Sequence, residues 1–218
     1  MNFRLVQIIL WAAVALVGGY FLLGGQGEAP QSPEVETAQT FSVANPYIGL
    51  TGTDGAPVNT KDFKDQHQLL YFGFTYCPDV CPIGVRKMVT ADALYQLDGG
   101  TVPLKTLFAS FDVARDTAEV LSAYETNLSE GITSEFEPGE RAAIDLNLIA
   151  LTGDDTAMDK ALEAYPVFVN QITDPDQPDG YTYSHTDIIY WVQPGGTVKF
   201  LSARYSARDI ADMLKAWS

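Results

Sequence analysis

Gln68–Thr75, read QLLYFGFT, is the stretch that most narrows the folds open to this chain. It is apolar and aromatic without a charge, the pattern of a strand buried on both faces. Within a few residues the period changes. Val80, Ile83, Val85, Met88, Ala91, Leu94 and Tyr95 recur at helical spacing through about Leu97. A doubly buried strand that passes directly into a helix needs cover above and below, which points to an α/β domain rather than a sandwich or a bundle.

The remaining chain repeats the alternation. Leu104–Phe111 is the next strand, and Asp116-Thr117-Ala118-Glu119 opens a helix with Asp116 as its cap. Leu146–Leu151 is a short apolar run, and Asp154 or Asp155 caps a helix through about Tyr165. Tyr165–Asn170 reads as an exposed strand. Ile188–Gln193 and Thr197–Ser202 flank Pro194-Gly195-Gly196 as a hairpin, and a last amphipathic helix starts from Ser206. Leu128–Asn147 is acidic and reads as a surface excursion. Met88 belongs to the core.

Ahead of this domain, Leu5–Leu23 carries no charge and one Gln. Its length is close to the ~20 residues a helix needs to cross a bilayer. Arg4 precedes it, which places the remainder across the membrane, and Gly24–Pro30 is a poor match to a signal-peptidase site. The expected layout is therefore a membrane anchor over 1–24, a flexible stalk over 25–40 and the folded domain over 41–218. No Arg-rich, acid-poor presequence precedes the anchor, which favours the bacterial inner membrane, single-pass with the C-terminal domain in the periplasm, over a mitochondrion.

Charge excludes one broad class of partner. Thirteen Lys and Arg against 28 Asp and Glu leave a net charge of −15, a field that repels phosphate backbones, so nucleic-acid binding is not expected. It favours cationic proteins as partners.

Two cysteines are too few for a disulfide framework, but Cys77 and Cys81 stand where the buried strand meets the helix. Pro78 suits the first helical position, the helix start favours a thiolate, and residues four apart share a helical face. At ~6 Å between Cα atoms such a pair can form a disulfide or converge on one metal. Spacing alone leaves both open. The chain has two histidines. His67 lies in a polar run and reads as a solvated surface residue; His185 precedes an apolar strand, where loops of an α/β sheet gather.

Tyr71–Pro82 (YFGFTYCPDVCP) resembles, nearly position for position, the YFGYTxCPDVCP signature of the Sco/SenC copper chaperones. Asp112, Arg115, Asp116 and Thr117 match that family's D-P-x-R-D-T segment, with Val113 in place of the proline. Leu148–Gly153 is similar to its I-G-L-T-G run, and His185 falls on its distal histidine ahead of the Tyr190–Gly195 hairpin signal. The resemblance implies a thioredoxin-like, three-layer domain that binds copper, Cu(I) or Cu(II), through Cys77, Cys81 and His185. It implies delivery to the binuclear site of cytochrome c oxidase subunit II, with an upstream periplasmic copper chaperone as a further partner. Soft thiolates suit Cu(I) and imidazole accepts Cu(II) as well. Ser184 stands where many relatives carry an acidic residue, so His185 is expected to lack that orienting group. Arg115 and Asp116 are expected to order the next loop and helix, and Asp79 to assist the helix start.

Two other functions share these residues. A thiol–disulfide oxidoreductase would use Cys77 and Cys81 as a redox pair, although C-x-x-C is the usual spacing. A zinc protein with a Cys₂His set is the third, with no further acid–base group to support it.

Overall fold

The computed structural model describes residues 40–217 apart from 44–46, 48, 147 and 203. The expected anchor and all of the expected stalk except Thr40 lie outside the described residues. Among those described, no helix is long and apolar enough to cross a membrane.

The strands are β1 (Phe41–Ser42), β2 (His67–Gly73), β3 (Leu104–Ser110), β4 (Leu148–Leu151), β5 (Val169–Thr173), β6 (Tyr181–His185), β7 (Ile188–Val192) and β8 (Thr197–Ser202). The helices are α1 (Val80–Leu97), α2 (Ala118–Thr133), α3 (Pro138–Arg141), α4 (Asp155–Ala164) and α5 (Ala207–Ala216). The main sheet runs β1-β8-β7-β2-β3-β4, with β2, β3 and β4 parallel and the other neighbours antiparallel. β5 and β6 pair with each other as a separate antiparallel hairpin.

β2 sits at the centre, and all seven of its residues are buried, as the charge-free run requires. Its two faces differ. Leu69, Tyr71 and Gly73 alternate onto the face covered by α1, where a Cβ at Gly84 would strike the Tyr71 ring at 2.7 Å. Phe108, opposite Tyr71, meets Tyr124 of α2 on this same side, with ring centroids 5.1 Å apart. Phe72 points the other way, into Tyr165 at the end of α4 and Tyr190 of β7, at 5.2 and 5.8 Å. The sheet is thus covered on both sides at its centre, giving the mixed α/β, three-layer arrangement expected. Both βαβ units run β2–α1–β3–α2–β4 in one direction along the sheet, which puts their helices on one face.

Caps and turns follow the local chemistry with one exception. The Asp154 side chain accepts the Ala157 N–H at 2.8 Å, and the Ser206 hydroxyl accepts that of Asp209 at 3.1 Å. Gly195 and Gly196 turn the β7–β8 hairpin at φ 87° and 88°, a region closed to most side chains. The cap of α2, however, is Thr117 and not Asp116. Asp116 is fully buried and turned inward, because it serves the loop ahead of the cysteines.

Three other expectations need correction. The exposed strand near Tyr165 starts only at Val169, since Tyr165 is drawn into the core. The stretch after Leu128 is not an irregular excursion throughout: α2 continues to Thr133 with Ile132 buried, and Pro138–Arg141 forms a further helical turn. His67 is not a surface residue. It is 3% exposed at the start of β2, where its Nδ1 accepts the Trp191 indole N–H at 3.1 Å.

Candidate metal centre

The end of β2 delivers the first two groups. After Gly73 the chain leaves the sheet and turns at Thr75 and Tyr76, and α1 begins only at Val80. Cys77 therefore precedes the helix and Cys81 is its second residue. Pro78 is not the first helical residue, and the two cysteines do not share a turn of helix. The Cys77 sulfur instead lies over the open end of α1, where it accepts the Cys81 backbone N–H at 3.4 Å. That contact fills the role of a cap, which the Asp79 side chain does not take.

The turn is held from below. Asp116 accepts the Thr75 backbone N–H at 2.8 Å and also the hydroxyls of Thr75 and Ser110. Burial raises its pKa while those donors lower it. Asp116 thus ties the cysteine turn to the end of β3, a more specific task than ordering its own helix. Gly73 is the second constraint. A Cβ there would stand 2.9 Å from Phe108 and 3.1 Å from the Cys81 sulfur, so only glycine lets that sulfur lie against the strand.

The third group arrives from 104 residues away. His185 ends β6 on the separate hairpin, rather than standing in a loop. Its Nε2 lies 3.1 Å from the Cys81 sulfur. Its Nδ1 lies 3.0 Å from the Thr186 carbonyl oxygen, which can only accept, so Nδ1 carries the proton and Nε2 presents a lone pair to the sulfurs. A backbone carbonyl thereby orients the ring, and Ser184 is not needed for it. The ring is wedged between Phe111, Phe74 and Tyr71, with centroids 5.3, 6.1 and 6.1 Å away. The Tyr71 hydroxyl donates to Asp187 at 2.8 Å, fastening the segment just beyond the histidine.

Arg115 fixes the other end of the hairpin. Its Nε donates to Asp112 at 2.6 Å, and its Nη1 donates to the carbonyls of Pro178 and Tyr181 at 2.9 and 3.1 Å. The guanidinium lies 3.8 Å over the Tyr181 ring, whose hydroxyl donates to Asp112 at 3.0 Å. It also lies 4.9 Å from the ring of Tyr76, the neighbour of Cys77. One buried ion pair therefore connects the histidine arm to the loop after β3 and to the cysteine turn. Sequence reasoning missed this anchoring role; the nearby D-x-x-R spacing was the only signal for it.

The ligand atoms of Cys77, Cys81 and His185 all lie within 4.8 Å of one another, which matches an ion bound at ~2.3 Å from sulfur and ~2.0 Å from nitrogen. Both cysteines are free. The Cys81 thiol's hydrogen bond pulls Cys77 down to about 4, against burial, with the N–H groups of Asp79 and Cys81 adding to the fall. Cys81, donor to Cys77 and fully buried, is pushed up. At neutral pH the pair therefore carries one negative charge on Cys77, which is 9% exposed, and keeps its proton on the sealed sulfur. A soft, compact S₂N set with one ready thiolate fits a soft cation and also fits thiol exchange.

Comparison with known proteins gives one consistent set. A SCO1/SenC family model matches residues 35–218. The mouse protein described as Protein SCO1 homolog, mitochondrial, is 31% identical over 196 residues, covering 86% of this chain and 63% of its own. The chain thus spans just under two thirds of that curated relative's length. Among solved structures, Arabidopsis thaliana ScoI with copper bound has a TM-score of 0.60 at 27% identity, covering 82% of this chain and 96% of its own. Bradyrhizobium japonicum ScoI with copper bound has a TM-score of 0.57 at 27% identity, covering 78% and 96%.

Proposed function

The chain belongs to the SCO1/SenC family, and from that premise we propose that it is a copper-binding metallochaperone. It receives copper from an upstream periplasmic chaperone and delivers it to the binuclear copper site of cytochrome c oxidase subunit II. The family is one of cytochrome c oxidase assembly proteins. We place the protein in a bacterial inner membrane, anchored through residues 5–23 with its domain in the periplasm. That placement rests on the uncharged Leu5–Leu23 run and on Arg4 before it.

The single observation that carries the copper reading is the His185 Nε2 standing 3.1 Å from the Cys81 sulfur and within 4.8 Å of that of Cys77. A thiol reductase has no need of a third, distant donor. Copper takes Cys77 as it stands at neutral pH, so loading releases one proton, from Cys81. Cys77, less deeply buried than Cys81, is the ligand that an acceptor's donor atom would displace from the ion first, while Cys81 and His185 would hold the ion until it is shared.

The test is copper titration of the purified protein. One copper per chain is expected, with a thiolate-to-copper charge-transfer band in the Cu(II) form. His185→Ala should abolish the band or weaken binding by at least ~10²-fold, while a copper-loaded spectrum indifferent to this change would remove the proposed ligand set.

A second reading has its own support in the charge separation of the pair. Cys77 thiolate could attack a partner's disulfide, releasing one partner thiolate and forming a mixed disulfide. Cys81, on losing its proton, would then attack Cys77 and release the second. The partner gains two electrons and the chain ends as a Cys77–Cys81 disulfide. Reduction of an oxidised subunit II fragment by the copper-free protein distinguishes this reading.

A further inference from the structure

Of the six large apolar side chains exposed among the described residues, three fall in the eight-residue stretch that carries both cysteines. From Tyr76 to Ile83 the exposed side chains are Tyr76, Pro78, Asp79, Val80, Pro82 and Ile83, and all but Asp79 are apolar. Tyr76, Val80 and Ile83 are 40%, 37% and 56% exposed. Val80 and Ile83 stand three apart, on one face of the first turn of α1. Large apolar side chains that remain exposed side by side mark a contact surface more often than an accident of folding. Their position is also informative: each is within two residues of a cysteine whose sulfur belongs to the metal set.

Charge identifies what such a surface would receive. The segments that build the site, 71–85 and 165–190, contain Asp79, Asp174, Asp176, Asp179 and Asp187 and not one Lys or Arg. The basic groups near them are already engaged: Arg115 is buried on Asp112, Arg86 pairs with Glu135, and Lys87, one turn beyond Ile83 on α1, is half-buried with an interaction of its own. A second copy of this chain, itself at −15, would meet like charge around the same lip. A basic protein face would meet opposite charge.

We propose that Tyr76, Pro78, Val80 and Ile83 form the docking lip for a metal-accepting protein whose contact face is apolar at its centre and ringed by Lys and Arg. This inference rests on the copper reading above for the identity of the cargo. The apolar centre excludes water around the Cys77 sulfur while ligands exchange, and the acidic surround steers the encounter and sets its orientation. Ile83 is 56% exposed and is not one of the three candidate ligands, so the lip can be altered there while the cradle's own side chains are kept.

The experiment uses the full chain in detergent, with the metal-free soluble copper domain of a cytochrome c oxidase subunit II as the probe. Wild type, Ile83→Glu and the control Ile83→Leu are compared in two measurements, copper bound per chain and the Kd of the copper-free protein for the probe. The expected result is unchanged copper stoichiometry in all three, with Kd raised about tenfold or more in Ile83→Glu alone. Wild-type binding should also weaken as NaCl rises from ~20 to ~300 mM, because exposed charges are screened. Equal Kd values for wild type and Ile83→Glu, no measurable wild-type binding, or binding that strengthens with salt would each overturn the docking lip. So would a wild-type dimer in sedimentation that Ile83→Glu dissolves. Failure of both proteins to take up copper, with the Kd difference intact, would overturn the copper reading and leave the lip standing.

Discussion

The two ends of β2 carry the two histidine environments of this protein, and they have been put to opposite uses. At the start of the strand, His67 is sealed against Trp191, whose indole N–H occupies its Nδ1. Burial lowers its pKa, so it stays neutral and serves as a packing group with one hydrogen bond. Beyond the far end, where Gly73 releases the chain, the His185 ring meets two sulfurs and keeps its Nε2 lone pair directed at them. Residue type does not distinguish the two. The partner of the free nitrogen does: a neutral N–H donor closes it, whereas a thiol pair leaves a site that a metal can take.

The loss of copper expected from His185→Ala is the widest separation between these ends, because His67→Ala should leave copper stoichiometry unchanged. Next in size is the anchor of the histidine arm. Arg115→Met leaves buried Asp112 without its cation and the carbonyls of Pro178 and Tyr181 without a donor. It should cost about 3 kcal/mol in urea unfolding. It should also weaken copper binding and shift the charge-transfer band through a misplaced His185; a band identical to wild type would show that the hairpin needs no such tether. His67→Ala belongs to the other end and should cost roughly 2 kcal/mol by the same unfolding measurement, from the cavity and the orphaned Trp191 N–H.

The smallest effect is a slope. The folded-state pKa of His67 lies below its ordinary 6.5, so the unfolded chain binds the proton more readily. The stability it contributes is complete above pH 6.5 and declines as pH falls from there through the folded value. His67→Phe, which stays neutral, should flatten this part of the acid-unfolding curve. A slope equal to wild type in that window would show that His67 is not protected from protons as its burial implies.

Much of this was legible before any coordinates. The doubly buried central strand, the length of α1, the caps at Asp154 and Ser206 and the Gly195-Gly196 turn all follow from local rules, since each depends on residues within one turn or one strand. The grouping of Cys77, Cys81 and His185 as a candidate metal set was legible only through likeness to a known family. Local rules alone would have left His185 a lone histidine ahead of a strand. They also erred where a side chain answers to a remote partner. His67 sits in a polar run yet packs on a tryptophan 124 positions away. Asp116 has the composition of a cap yet turns inward to Thr75, 41 positions earlier.

What the sequence determined by itself is the chemistry available: two thiols at a strand-to-helix junction, a scarce imidazole, a glycine small enough to admit a sulfur and an acidic exterior. Tertiary structure alone decided which imidazole reaches the sulfurs, which sulfur holds the charge and which arginine secures the arm between them. The physical reason is range. Periodicity and capping act over about four residues, while the cysteine–histidine cluster is assembled from groups 104 positions apart, whose distance is set by the packing of a hairpin on a sheet.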